Sequence, residues 1–144
     1  MFSSIYVTLY RHSNDKEVVP LKIHESAENY LESILMLSKK QPYVRSIDIA
    51  NDLEVSKPSV SVAMKNLREN GYIQMNHDGH ITLTDTGMAI ASSMYERHTL
   101  ISQWLVNLGV SPETAAKDAC KMEHVLSQET FDAFKRHAEL YGKK

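Results

Sequence analysis

Residues 45–84 carry local signals in immediate succession that leave few folds open. Ile47, Ile49, Ala50 and Leu53 mark a short helix with one apolar face. Glu54-Val55-Ser56-Lys57-Pro58 then interrupts it. Ser56 is suited to cap a second helix, and Pro58 fits its first turn, where a missing N–H costs nothing. Val60, Met64 and Leu67 line one face of that second helix, and Asn70-Gly71 is a helix-ending pair. Two short β runs, 72–75 and 80–84, then flank Asn76-His77-Asp78-Gly79, a hairpin turn signal. Short helix, tight turn, capped helix and hairpin are the parts of a winged helix-turn-helix. The blander reading is an ordinary three-helix core with a hairpin.

Helical periodicity surrounds this unit. Tyr30, Leu31, Ile34, Leu35 and Leu37 predict a helix from Ser26, its expected cap, to Gln41-Pro42. Glu28 falls in the first turn, where the helix dipole favours a carboxylate. A long helix is expected over 86–107. A break at Leu108-Gly109-Val110-Ser111-Pro112 precedes a helix to about residue 124 or 125, and Ser127 caps a last helix with Phe131 and Phe134 inward. Residues 1–24 stand apart: Ile5, Val7 and Leu9 alternate with Tyr6, Thr8 and Tyr10 as in a strand or extended arm. The expected fold is mainly α with a small β-hairpin wing. It divides into an arm (1–24), a winged helix-turn-helix (25–85) and a helical domain (86–144). A chain of 144 residues buries close to ~70% of its unfolded surface and needs no disulfide or metal merely to fold.

With 42% apolar and 24% charged residues, the chain is neither disordered nor a disulfide scaffold. A single cysteine, Cys120, points to a reducing, cytoplasmic setting. No apolar run reaches the ~18 residues of a membrane span, and no secretory signal opens the sequence.

The second helix would present Ser56, Lys57, Pro58, Ser59, Ser61 and Lys65 to double-stranded DNA, with Arg45 beside it and Arg68 further along. Lysines and short hydroxyls suit phosphate and limited base contacts. Val62 and Ala63 are candidates for a thymine methyl. Over 45–84, however, four basic residues (Arg45, Lys57, Lys65, Arg68) face five acidic ones (Asp48, Asp52, Glu54, Glu69, Asp78). Affinity depends on phosphate neutralisation, so a monomer would bind weakly and a homodimer is expected. The unpartnered apolar faces of 86–140 (Phe131, Phe134 and Leu140, with Trp104 and Leu105 nearby) are where it would form.

A second constellation lies in Asp118-Ala119-Cys120-Lys121-Met122-Glu123-His124-Val125. Cys120, Glu123 and His124, spaced i, i+3 and i+4, share one helical face and offer sulfur, oxygen and nitrogen ligands. The alternative is a packed cysteine with Glu and His in solvent. Glu32 borders the apolar stripe of the first helix, with Asn29 one turn before it, and a carboxylate there needs a partner. His98 lies on the long helix. Six donors exceed what one ion requires, which points to one or two ions sharing a bridging carboxylate. A thiolate suits Fe(II), Zn(II) or Co(II), whereas the carboxylates also suit Mn(II).

These residues resemble the diphtheria toxin repressor family of metal-dependent transcriptional regulators, including its manganese transport regulator branch. The resemblance spans about residues 25–139. It rests on Glu28-Asn29-Tyr30-Leu31-Glu32, Ser56-Lys57-Pro58-Ser59-Val60-Ser61, Leu83-Thr84-Asp85-Thr86-Gly87 and Cys120-Lys121-Met122-Glu123-His124-Val125-Leu126-Ser127. It implies a homodimeric repressor of metal-uptake genes on a palindromic operator, with Fe(II) or Mn(II) as co-repressor and Zn(II), Co(II) or Ni(II) binding in vitro. Cys120, Glu123, His124, His98 and Glu32 match ligand positions of the family. Asn29 stands where the family usually has Asp or Met, and Cys120 where the manganese branch usually has Glu. Ala116 and Ser102 occupy ligand positions of the iron branch's ancillary site.

Two other functions compete with a metal-responsive repressor: a winged-helix regulator with a redox-sensing Cys120, and a small metalloenzyme. No nucleophile–base pairing or small-organic-substrate signature supports an enzyme.

Overall fold

The computed structural model describes residues 6–8, 20–22 and 24–142. In chain order these form β1 (Tyr6–Thr8), β2 (Pro20–Lys22), α1 (Glu25–Lys40), α2 (Ser46–Leu53), α3 (Lys57–Glu69), β3 (Ile73–Met75), β4 (Ile81–Leu83), α4 (Asp85–Asn107), α5 (Pro112–Val125) and α6 (Gln128–Tyr141). β1 and β2 pair antiparallel with Val7 opposite Leu21. Ile5 and Leu9 lie outside the described residues. β3 and β4 form the wing, with Ile73 opposite Leu83 and Gly79 at φ +78° in the turn.

Hydroxyl caps set most helix starts. Ser56 Oγ accepts from the Ser59 N–H at 3.3 Å, Ser111 from Thr114 at 3.4 Å and Ser127 from Thr130 at 3.1 Å. Thr84 caps α4 by accepting from the Gly87 N–H at 3.2 Å, so that helix begins ahead of the expected residue 86. Ser26 does not cap α1. The His24 carbonyl already accepts from the Glu28 N–H at 3.1 Å, which puts the helix start before Ser26, and no side chain caps it.

The main core gathers Leu31, Ile34 and Leu35 of α1 with Ile49 and Ala50 of α2 and Val60, Met64 and Leu67 of α3. Ile73, Ile81, Ile90 and Ala91 join them from the wing and α4. α1 is the hub: it packs on α2, α3, β4 and α4. Ser33 ties it to α2 by donating to Asp52 Oδ2 at 2.6 Å. α4 continues out of this core and packs along α5, where Met94, Ile101, Ala115, Ala119 and Phe131 are buried. The two cores meet at a close joint. A Cβ on Gly87 would stand 2.0 Å from the Tyr72 carbonyl oxygen, so only glycine fits.

Candidate metal centre

Three helices bring their polar positions together beside the hub. On α1, positions 28, 29 and 32 lie next to the stripe of Leu31 and Leu35, so their side chains face inward. α4 supplies Arg97 and His98, and α5 supplies Glu123 and His124 from its last turn. Candidate ligand atoms of Glu32, His98 and Glu123 all lie within 4.8 Å of one another. His98 Nδ1 is 3.0 Å from Glu123 Oε2. His124 adjoins them, with Nε2 3.3 Å from Glu123 Oε1.

Glu28, Glu123 and His124 are buried. His124 Nδ1 donates to Glu28 Oε2 at 2.8 Å, and Nε2 donates to Asn29 Oδ1 at 2.7 Å. Burial alone would lower the His124 pKa, but its bonds to Glu123 and Glu28 outweigh that and raise it to about 9. The two acidic partners of the cluster split in opposite directions. Burial, and then the hydrogen bond to Glu123, push Glu32 up to about 8. Burial acts upward on Glu123 too, yet the bonds from His124, His98 and Glu32 bring it below the usual range. Glu32 therefore holds the proton that Glu123 lacks, as like charges in a dry site require.

Glu28 Oε1 is buried without a hydrogen-bond donor among the described residues, and Glu123 Oε1, equally buried, has only the 3.3 Å ion-pair contact with His124 Nε2 and no well-aligned hydrogen bond. Unsatisfied carboxylate oxygens beside imidazoles are the donor set a divalent cation needs, so these residues fit a metal. Asn29 meets the group through His124. Cys120 is exposed one turn earlier on α5 and lies outside the cluster of ligand atoms. Partial desolvation and the charges of Glu123, Glu32 and Glu25 push its thiol up, away from the thiolate that redox chemistry uses.

Two residues of this centre went unread in the sequence. Glu28 reads in the sequence only as a first-turn carboxylate, but it is sealed against His124 because it stands four residues before Glu32 on the same face. That spacing was the available signal. Arg97, also buried, donates to the Glu123 carbonyl at 3.0 Å, the Leu126 carbonyl at 2.7 Å and Gln128 Oε1 at 2.9 Å, pinning the end of α5 to α4.

The expected DNA-facing residues stand elsewhere. Arg45, Ser56, Lys57, Pro58, Ser59, Ser61 and Lys65 are all exposed at or near α2 and α3, as is Arg68. Val62 is exposed, whereas Ala63 packs against the core and is poorly placed for a thymine methyl.

Residues 22–81 match the family model "Iron dependent repressor, N-terminal DNA binding domain", and residues 84–139 match "Iron dependent repressor, metal binding and dimerisation domain". The chain belongs to the iron dependent repressor family. Within this family it is 38% identical over 120 residues to the transcriptional regulator MntR of an Escherichia coli strain, covering 83% of this chain and 77% of that one. MntR of Salmonella typhimurium is 40% identical over 118 residues, covering 82% and 75%. A solved manganese-dependent transcriptional repressor in complex with manganese superposes with a TM-score of 0.72 at 29% identity, covering 77% of this chain. The regulator MtsR superposes with a TM-score of 0.73 at 26% identity over 78% of it. The chain spans about half the length of these solved structures. Family members so matched are metal-dependent transcriptional regulators, not enzymes. Among the described residues no helix is long and apolar enough to cross a membrane.

Proposed function

We propose that this chain is a repressor of metal-uptake genes that binds operator DNA as a homodimer when Fe(II) or Mn(II) is held by Glu32, His98, Glu123 and His124. The observation that carries this reading is the meeting of Glu32 with His98 and Glu123. Glu32 belongs to the helix that packs directly on α2 and α3, while its partners belong to α4 and α5. Asn29 and Cys120 are the further donors at the edge of the site. The oxygen-rich set favours Mn(II) or Fe(II), with Zn(II), Co(II) or Ni(II) binding in vitro.

A bound divalent cation supplies positive charge that offsets the clustered carboxylates. To hold the ion, Glu32 would give up its proton and His124 would offer an unprotonated ring nitrogen. α1 is thereby tied to α4 and α5, and through α1 the recognition helix α3 is held relative to the helical part. Coupling of only ~1–3 kcal/mol changes DNA affinity ~5–150-fold. We assign α3 to the major groove and the wing to the flanking backbone. The division into arm, winged module and helical module at residues 24/25 and 85/86 follows from the same reading.

The second subunit would cover the groove of about 730 Å³ between α4 and α6. Leu100, Trp104, Leu108 and Tyr141 line it, and Trp104 packs on Phe134 at 4.7 Å between ring centres. A symmetric pair built there places two recognition helices about one DNA turn (~34 Å) apart.

The decisive experiment measures DNA binding with no added metal, with Fe(II), Mn(II) or Zn(II), and with oxidant, alongside sedimentation. Metal-dependent binding by a dimer is the expected result. Binding that ignores metal but follows oxidant would move the sensor to Cys120.

A further inference from the structure

The wing is fastened to the start of α2 by three separate contacts. The Ile81 N–H donates to the Val44 carbonyl at 2.8 Å. The Tyr43 and His80 rings stack at 4.2 Å between centres, 16° from parallel. Arg45 donates from its terminal nitrogen to His80 Nε2 at 3.2 Å. A guanidinium has no lone pair to offer, so Nε2 is the acceptor in this contact, the shorter of the two its ring makes with a donor, since the Asn76 amide nitrogen stands 3.5 Å from Nδ1. The wing tip is itself braced, since Asn76 Oδ1 accepts from the backbone N–H groups of Asp78 at 3.0 Å and His80 at 2.9 Å.

Arg45 is exposed, and among the described residues its guanidinium has this one hydrogen-bond partner. A guanidinium carries five N–H donors, so this exposed side chain has donors to spare for a phosphate. Arg45 also precedes the first helix of the helix-turn-helix, the element that crosses the DNA backbone in such modules. A flexible arginine loses rotamer freedom when it grips a phosphate; one already held by an acceptor has lost most of it beforehand. With four basic against five acidic residues over 45–84, the placement of each cation matters more than in a strongly basic domain.

We infer that His80, seated on Tyr43, is a positioning residue that holds Arg45 as a preset clip for one DNA backbone phosphate, joining wing and helix-turn-helix into a single contact. This deepens, and rests on, the DNA-binding reading. His80 acts through Arg45 and needs no base contact of its own, so its effect should be the same on every DNA sequence.

The test uses the full chain with Mn(II) and a duplex selected by it from a random-sequence pool. Four variants separate the parts. R45A removes the phosphate contact, H80F keeps the stack but removes the acceptor, H80Q restores an acceptor, and R45A/H80F combines the first two. R45A should weaken binding about tenfold and lower the salt slope by about one. H80F should weaken it about fivefold, the size of one lost hydrogen bond, and H80Q should recover to within about twofold of the parent. R45A/H80F should bind no more weakly than R45A alone, a non-additivity that general loosening of the wing would not produce. H80L stands in should H80F fail to fold by circular dichroism. Parent-like binding by H80F, or full additivity in the double variant, overturns the clip while leaving the DNA-binding reading intact. If the parent itself selects no duplex, the DNA-binding reading fails and the clip with it.

Discussion

Lys57 and Lys65 stand in solvent on a helix whose other face is Val60, Met64 and Leu67, whereas Glu28, Glu123 and His124 are sealed between three helices. On the first surface each charge keeps its own water, so its contribution is small and close to additive. In the second region no group is independent. The proton on Glu32, the charge on Glu123 and the orientation of His124 are one arrangement, and a change to any of them resets the others. A sensor benefits from the second kind of construction and a DNA grip from the first.

The sharpest break in that contrast comes from the buried side. Glu123→Ala and His124→Ala should each weaken Mn(II) binding more than ~100-fold, since losing even an outer partner costs 10–100-fold. Metal-dependent DNA binding should vanish with it. Titration by calorimetry checks this, and parent-like affinity in both variants would sink the proposed centre. Arg97→Met leaves the Glu123 and Leu126 carbonyls without their donor and should lower stability by about 3 kcal/mol in urea unfolding. Glu28→Gln keeps the shape but removes the charge facing His124, and about tenfold weaker metal binding is expected, with little change in unfolding midpoint.

Acid should act on the same region. Protons and metal compete for the same lone pairs, and the folded-state values of about 8 for Glu32 and about 9 for His124 mean that both hold protons at neutral pH. Binding must displace them. Apparent Mn(II) affinity should therefore rise by about tenfold or more per pH unit between pH 6.5 and 7.5, flattening above about 9. A flat profile would show that neither proton is exchanged. The smallest effect belongs to the exposed side. Lys57→Ala should weaken binding to all duplexes by about threefold and lower the salt slope by about one unit, without touching metal affinity. Coupled changes in both readouts would erase the distinction between the regions.

What the sequence disclosed follows the same division. The recognition unit is written in local signals: Ser56 caps α3, Val60, Met64 and Leu67 are its buried face, and Gly79 turns the wing. The last turn of α5 was legible at Glu123 and His124, because they stand three and four residues after Cys120, and both are buried against His98 and Glu28. Glu28 and Arg97 were not, since their partners lie 96 and 26 residues away in the chain and only packing brings them together. Cys120 shares the spacing of its neighbours, but periodicity assigns a face without measuring how far a side chain reaches, and the thiol lies outside the cluster.

The joint at Gly87 sets a machining tolerance for all of this. Its Cα rests against the Tyr72 carbonyl with no room for a side chain, so it acts as the pivot from which α4 leaves the winged module. His98 lies eleven residues further along, about 16 Å at the rise of an α-helix. A tilt of about 1° at the pivot moves His98 by about 0.3 Å. Ligand distances in a metal site hold to about 0.2 Å. If His98 serves the proposed centre, α4 must therefore keep its angle to within about 1°, and a residue larger than glycine at this contact is expected to carry His98 away from Glu123 at the far end of the lever.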